Sequence, residues 1–228
     1  MGFNQREFDQ FIFDNNVIGF FKEPITLKSG RKSNWYVNWR TITEDVFLTD
    51  KLTDFIIEFT KDKGLEPDCF YGVPEGASKL AVITQYKWAK QSEKYGTDSH
   101  VLAMGRGKPK EHGIAKDRYF IGMPKGKTII LEDVTTTGGS LIDTINALLE
   151  ANVSVLAAFG LTNRNELRED GSSVELRTSK IGVNYNALSN AHALLPKVYK
   201  KLNPGKDIAR AVEKEFQKYG IIPLILEP

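Results

Sequence analysis

Glu132 and Asp133 stand side by side after the apolar run Ile129-Ile130-Leu131, and Thr136, Thr137, Gly138, Gly139 and Ser140 follow closely. Gly138 and Gly139 let backbone amides converge with no Cβ in the way. Thr136, Thr137 and Ser140 add hydroxyls, and a helix starting at 140 adds the free amides and partial positive charge of its first turn. That end of the motif suits an anion. The two carboxylates cannot serve an anion, so they must face sugar hydroxyls, a Mg2+ ion, or both. Phosphate on one side and diol on the other describes a phosphorylated ribose. An acid-tipped strand, a turn and a capped helix also form a common structural junction; the consecutive hydroxyl and glycine residues are what point to a ligand. Neither Gly-x-x-x-x-Gly-Lys-Ser/Thr nor Gly-x-Gly-x-x-Gly after a strand occurs, so neither a P-loop NTPase nor a Rossmann dinucleotide fold is indicated.

A second cluster lies in Arg106-Gly107-Lys108-Pro109-Lys110-Glu111-His112-Gly113, where Arg106, Lys108, Lys110 and His112 can all be cationic. Its glycines and proline oppose regular structure. Such a loop is either a solvated connection or an anion clamp. His100 and His192 have no neighbours at metal-ligand spacing and read as structural or surface residues.

The elements that must position these residues follow from periodicity. Phe8, Phe11 and Ile12 predict a helix over 4–16, and β-rich runs at 25–28 and 35–39 flank a turn at 29–33, a hairpin-like hood. The chain then alternates: helix 51–63, strand 68–73, helix 79–95, strand 100–104, strand 127–134, helix 140–151, strand 153–162. A polar loop at 165–173 precedes a strand at 181–188. Helices over 191–202 and 207–219 follow, separated by Asn203-Pro204-Gly205. Alternation of this kind predicts an α/β fold, a parallel twisted sheet with helices on both faces. No boundary divides the chain, so one domain over 1–228 is expected, with a hood at 1–48, a core at 49–190 and a helical extension at 191–228.

With Lys and Arg at 31 against Asp and Glu at 29, the charge of +2 is too balanced for a nucleic-acid footprint or a membrane surface. No nucleic acid and no membrane partner is expected. The single Cys69, in the apolar run Cys69-Phe70-Tyr71, reads as core filling in a reducing cytosol. There is no basic-then-apolar leader and no apolar run of the ~18 residues a membrane span needs, which predicts a cytoplasmic protein. Arg6 stands where a myristoylation signal wants Ser or Thr.

Glu132-Asp133-Val134-Thr135-Thr136-Thr137-Gly138 resembles the phosphoribosyl pyrophosphate (PRPP) signature of the type I phosphoribosyltransferases. Together with Leu27-Lys28-Ser29-Gly30-Arg31-Lys32-Ser33, the loop from Arg106 to Gly113 and Asn163-Arg164, the chain resembles the orotate phosphoribosyltransferases over 8–190. The resemblance implies the type I fold with an N-terminal hood, and a pentosyltransferase that moves phosphoribosyl from PRPP to orotate. The products would be pyrophosphate and orotidine 5′-monophosphate, in pyrimidine (UMP) biosynthesis. It implies Mg2+ bound through PRPP and water rather than by protein ligands, and a homodimer with shared active sites.

It also implies residue roles. Glu132 and Asp133 hold the ribose hydroxyls, and Thr136, Thr137, Gly138, Gly139 and Ser140 hold the 5′-phosphate. Arg106, Lys108, Lys110 and His112 close over the leaving pyrophosphate in the partner's site. Lys28 and Tyr36 line the pyrimidine, and Arg164 binds the orotate carboxylate as a guanidinium fork. The turn Val73-Pro74-Glu75-Gly76-Ala77-Ser78-Lys79 corresponds to a loop that binds pyrophosphate through its amides. Departures occur at Gly107 and Gly76, where the family commonly has lysine, with Lys108 and Lys79 as candidate replacements, and at Val37, where an aromatic is common. Trp35 and Trp39 are expected to pack the hood on the core. Two other readings stand: a phosphoribosyltransferase for another nucleobase, or a PRPP-sensing regulator without turnover.

Overall fold

The computed structural model describes residues 2–108, 110–112 and 119–226. Helix α1 (Gln5–Asp14) starts where Asn4 accepts the amides of Arg6 and Glu7 through its side chain. It buries Phe8, Phe11 and Ile12 as its spacing requires. Strands β1 (Ile18–Thr26) and β2 (Lys32–Val37) then form an antiparallel hairpin, far longer than the two short runs expected, with Ile18 opposite Val37 and Thr26 opposite Lys32. A register shift between Phe20 and Ile25 absorbs the solvent-facing middle of β1, which hid its strand pattern in the sequence. The turn closes as the Leu27 amide donates to the Arg31 carbonyl at 2.9 Å, with Gly30 at φ +80°. Trp39 stacks on Phe8 and Trp35 on Phe216, so both tryptophans pack the hood.

Short helix α2 (Arg40–Thr43) leads into α3 (Val46–Asp62), which begins five residues before the expected start because Asp45 caps it by accepting the Leu48 amide at 2.8 Å. Strand β3 (Cys69–Gly72) and helix α4 (Ser78–Lys90) follow. The strand expected at 100–104 is a correction. Only β4 (Met104–Gly105) forms, and it pairs antiparallel with β5 (Phe120–Ile121), outside the main sheet. Leu102 is exposed, so this segment lacks the cover that an apolar sheet strand needs, and it forms the base of the cationic loop instead.

Strand β6 (Lys127–Thr135), helix α5 (Gly139–Glu150), strand β7 (Ser154–Asn163), helix α6 (Val174–Lys180), strand β8 (Tyr185–Asn190) and helices α7 (Ala191–Leu202) and α8 (Lys206–Tyr219) complete the chain. The sequence reading missed α6, a short helix announced only by its cap, Ser173, which accepts the Leu176 amide. The main sheet is parallel, in the order β3-β6-β7-β8. Its strands alternate between two cores. Ile129 and Leu131 face Leu52 and Ile56 of α3, Leu80 of α4 and Leu194 of α7. Ile130 joins Leu141, Ile145 and Leu148 of α5 on the other side. Each such buried Leu or Ile stabilises the fold by ~1.5–3 kcal/mol relative to exposure, and together they fix the carboxyl ends of β6 and β7 where the site lies. No helix among the described residues is long and apolar enough to cross a membrane.

Candidate active site

A cleft of ≈ 470 Å³ opens at the carboxyl end of β6, between the hood turn and the first turn of α5. It is lined by Lys28, Tyr36, Gly76, Glu132, Asp133, Thr136, Thr137, Gly138, Gly139, Ser140 and Arg164, among others, so residues separated by more than a hundred positions meet there. Glu132 is buried, and desolvation, then the charge of Asp133 and a hydrogen bond with it, hold its carboxyl well above the usual carboxylate range; Lys28 pulls the other way. The Asp133 carboxylate is oriented by the Val134 amide, which donates to Oδ1 at 2.8 Å.

At the other end, Gly138 has φ +70°, and a Cβ there would sit 2.6 Å from Val174 Cγ2, so both conformation and space demand glycine. No side chain caps the start of α5, which leaves its first amides to an incoming anion. Lys28 Nζ donates to Ser140 Oγ at 2.9 Å. From outside, Arg168 Nη1 donates to the Thr137 carbonyl at 2.6 Å and steadies the loop.

Arg164 is 1% exposed yet borders the cleft. Its Nε donates to Glu166 Oε1 at 2.7 Å, its Nη2 to Ser33 Oγ at 2.9 Å and its Nη1 to the Trp35 carbonyl at 3.4 Å. The guanidinium lies 3.7 Å from the centre of the Trp35 ring. These bonds use three of the N–H groups that a guanidinium carries and leave further ones for a ligand. Burial lowers its pKa, opposed by Glu166.

No family model matches the chain. It is 34% identical over 157 residues to orotate phosphoribosyltransferase of Bradyrhizobium sp. (strain BTAi1), covering 64% of this chain and 78% of that one. It is 32% identical over 186 residues to the enzyme of the same name from Bradyrhizobium sp. (strain ORS 278), covering 77% and 90%. The chain belongs to the orotate phosphoribosyltransferase family. Among solved structures, the fold matches Francisella tularensis orotate phosphoribosyltransferase with TM-score 0.66 at 21% identity, covering 94% of this chain and 99% of that one. It also matches Mycobacterium tuberculosis orotate phosphoribosyltransferase in complex with PRPP, with TM-score 0.57 at 17% identity, covering 83% and 98%.

The two glycines that depart from the family pattern share one cause. A Cβ on Gly76 would run into the Asp133 carboxylate, and a Cβ on Gly107 into the Glu75 carboxylate. Each glycine therefore makes room for an acid. Glu75 itself lines the cleft, as do Asn38, Arg40 and Asp143, and the sequence reading assigned none of these four a role. Their signal was position alone: Glu75 beside Gly76 in the turn after β3, Arg40 just past β2, Asp143 one turn into α5.

Lys79 stands away from the lining of the cleft. Its Nζ donates to the Thr43 carbonyl at 2.8 Å, which ties α4 to α2. Arg106, Lys108, Lys110 and His112 do not line the cleft of their own chain; Lys108, Lys110 and His112 are exposed, and the Arg106 amide donates to the Tyr119 carbonyl at 2.9 Å. Pro109 and Gly113 of that loop lie outside the described residues. His100 bonds Ser99 Oγ, and His192 bonds the Ile222 carbonyl and meets the Phe216 ring edge-on, which are structural roles for both.

Proposed function

We propose that this chain transfers phosphoribosyl from PRPP to orotate, forming orotidine 5′-monophosphate and pyrophosphate on the route to UMP, as a single phosphoribosyltransferase domain. The observation that carries this is the order of groups along one cleft: an uncapped helix start for the 5′-phosphate, a carboxylate pair for the ribose diol, then a buried arginine for a planar carboxylate. The Mycobacterium tuberculosis enzyme, which has the same fold, was solved in complex with PRPP, and this supports the choice of donor.

In this reading, Thr136 to Ser140 hold the 5′-phosphate, while Glu132 and Asp133 accept hydrogen bonds from the ribose hydroxyls. Substitution at the anomeric carbon has oxocarbenium character, and no protein nucleophile is required. Anionic oxygens at Asp133 favour the positive charge that grows on the sugar. Tyr36 offers a ring face to the pyrimidine, and Arg164 fixes the carboxylate. The loop cations Arg106, Lys108, Lys110 and His112 cover the leaving pyrophosphate from the second subunit of a homodimer.

Mg2+ fits the donor set. The cleft offers hard carboxylate oxygens at Glu132 and Asp133 beside the place of the ribose, an environment that suits a hard cation carried by PRPP. In this reading an ion would be held through PRPP oxygens and water, with Glu132 and Asp133 engaged by the ribose hydroxyls rather than as ligands. When bound, it neutralises charge on the pyrophosphate. We take the cytoplasm as the compartment from the lone buried cysteine, whose thiol burial pushes up to about 12.

The test is base consumption. The protein is incubated with Mg2+, PRPP and one of orotate, uracil, hypoxanthine or adenine, and orotate alone should be consumed, only with PRPP and a divalent cation both present. Loss of another base in its place overturns the substrate, and PRPP binding without loss of any base overturns turnover.

A further inference from the structure

Arg164 is set in a frame that extends beyond the cleft to the C-terminal helix α8. Glu166 takes Arg164 on one carboxylate oxygen and Arg31 Nη1 on the other, at 2.7 and 2.8 Å. Arg31 also donates to the Leu167 carbonyl at 2.7 Å and lies 4.5 Å from the centre of the Tyr219 ring, at the end of α8. On the hood side, Glu215 of α8 accepts the Ser33 hydroxyl on Oε2 at 2.8 Å and the Asn34 amide on Oε1. Ser33 Oγ is the same atom that accepts from Arg164 Nη2.

The Ser33 hydroxyl has one proton and two acceptors at 2.8 Å, Glu215 Oε2 and the Trp35 carbonyl. A carboxylate is the stronger acceptor, so Glu215 draws the proton and leaves the Trp35 carbonyl to Arg164 Nη1. Take Glu215 away and the hydroxyl turns to the Trp35 carbonyl, which then accepts from both Ser33 and Arg164, and the Ser33 lone pair that receives Arg164 Nη2 is re-aimed. The charges make the same point. Arg31 and Arg164 outnumber Glu166; burial raises the Glu215 pKa, while the bonds from Asn34 and Ser33 and the charge of Arg164 pull it down, so the frame's donors and its guanidinium favour the carboxylate form of Glu215.

We infer that Glu215 is a positioning residue for base recognition: through Ser33 and Asn34 it sets the guanidinium of Arg164, so the C-terminal helix governs how tightly the base carboxylate is held. This rests on the reading of Arg164 as the carboxylate's partner. The groups assigned to PRPP from Glu132 to Ser140 sit on β6, the following loop and α5, and the bonds of Glu215 and Ser33 go to none of them, so PRPP binding should respond far less than orotate binding.

Michaelis constants for orotate and for PRPP are measured on the full chain for Glu215→Gln, Ser33→Ala, Glu213→Gln and Arg164→Ala. Glutamine at 215 turns an N–H toward one of two donors, and alanine at 33 removes the shared hydroxyl. Each should raise the orotate constant about tenfold while the PRPP constant stays within about twofold. Glu213 lies on the same helix but accepts the Leu226 amide at 2.8 Å, and Glu213→Gln should move neither constant. If Glu215→Gln does not fold, Ser33→Ala carries the same expectation. Equal rises for orotate and PRPP, or an equal effect from Glu213→Gln, would make α8 a general brace and overturn the inference. A raised orotate constant in Arg164→Ala with none in Glu215→Gln and Ser33→Ala also overturns it, while leaving the Arg164 reading intact. An unchanged orotate constant in Arg164→Ala sinks the Arg164 reading itself.

Discussion

Lys28 Nζ donates to Ser140 Oγ across 2.9 Å, joining the tip of the hood turn to the first turn of α5. The family resemblance sets this lysine beside the pyrimidine, but its ammonium lies at the phosphate end of the cleft, where it also favours ionisation of Glu132. With Thr136 to Ser140 read as the 5′-phosphate site, the 5′-phosphate of PRPP falls within its influence.

Lys28→Ala should accordingly raise the Michaelis constant for PRPP by about tenfold, the loss of one charge-assisted hydrogen bond, and raise that for orotate by less. Initial rates over a grid of both substrates separate the two. A rise confined to orotate would return Lys28 to the base pocket.

Burial and then Asp133 raise the pKa of Glu132, and this has a cost in stability that depends on pH. Its folded-state pKa is raised, so between the ordinary value of 4.5 and the raised one the folded protein binds a proton that the unfolded chain has released. Stability therefore falls as pH rises through that window. Glu132→Gln removes the titrating group, so the free protein should melt at a higher temperature than wild type at neutral pH, with the gap closing as pH drops below the ordinary carboxylate value. The same variant should lose at least about tenfold in kcat/KM, because an acceptor for the ribose hydroxyls is gone. Melting curves at several pH values, with no PRPP added, decide the matter; a gap that widens in acid would contradict it.

Gly107 and Glu75 should be energetically coupled. Restoring the family's lysine by Gly107→Lys places a Cβ against the Glu75 carboxylate, and the loop base must shift. We expect Gly107→Lys alone to lower kcat/KM by about tenfold, and Glu75→Ala in the same chain to recover most of that loss, since residues in contact are not additive. Additive losses in the double variant would mean that the two do not meet in the working enzyme.

The parts of this protein that were legible in the sequence are those governed by short-range pattern. The apolar run ending in Glu132-Asp133, and the hydroxyl and glycine residues up to Ser140, specify a buried strand, a turn and a helix start from local chemistry alone, and the structure has β6 and α5 there. The alternation of helix and strand likewise pointed to the parallel sheet. What stayed hidden depends on partners far along the chain. The middle of β1 faces solvent and carries no period-two signal, the bond from Lys79 to the Thr43 carbonyl has no local signature, and nothing near Ser33 announces Glu215, 182 positions away. Segment 100–104 misled for the opposite reason: its residues suit a strand, but Leu102 is left uncovered.

The last expectation concerns assembly. Lys110 and His112 are exposed and away from the cleft of their own chain, yet departing pyrophosphate needs cationic donors where water has been excluded. Cations brought over a leaving group need a rigid surface to close against, and a twofold partner supplies one. One variant, Lys110→Ala with His112→Ala, is made inactive in the loop. Another, Glu132→Ala with Asp133→Ala, is made inactive in the cleft. If loops serve the neighbouring cleft, a mixed dimer gathers both defects into one site and leaves the second site whole. Mixing the two inactive proteins should then restore activity, up to about half that of wild type in each mixed dimer. Subunit exchange is followed independently, by mass or by a tag on one variant. Exchange without recovery would show that each loop serves its own chain, and the shared site would have to be abandoned.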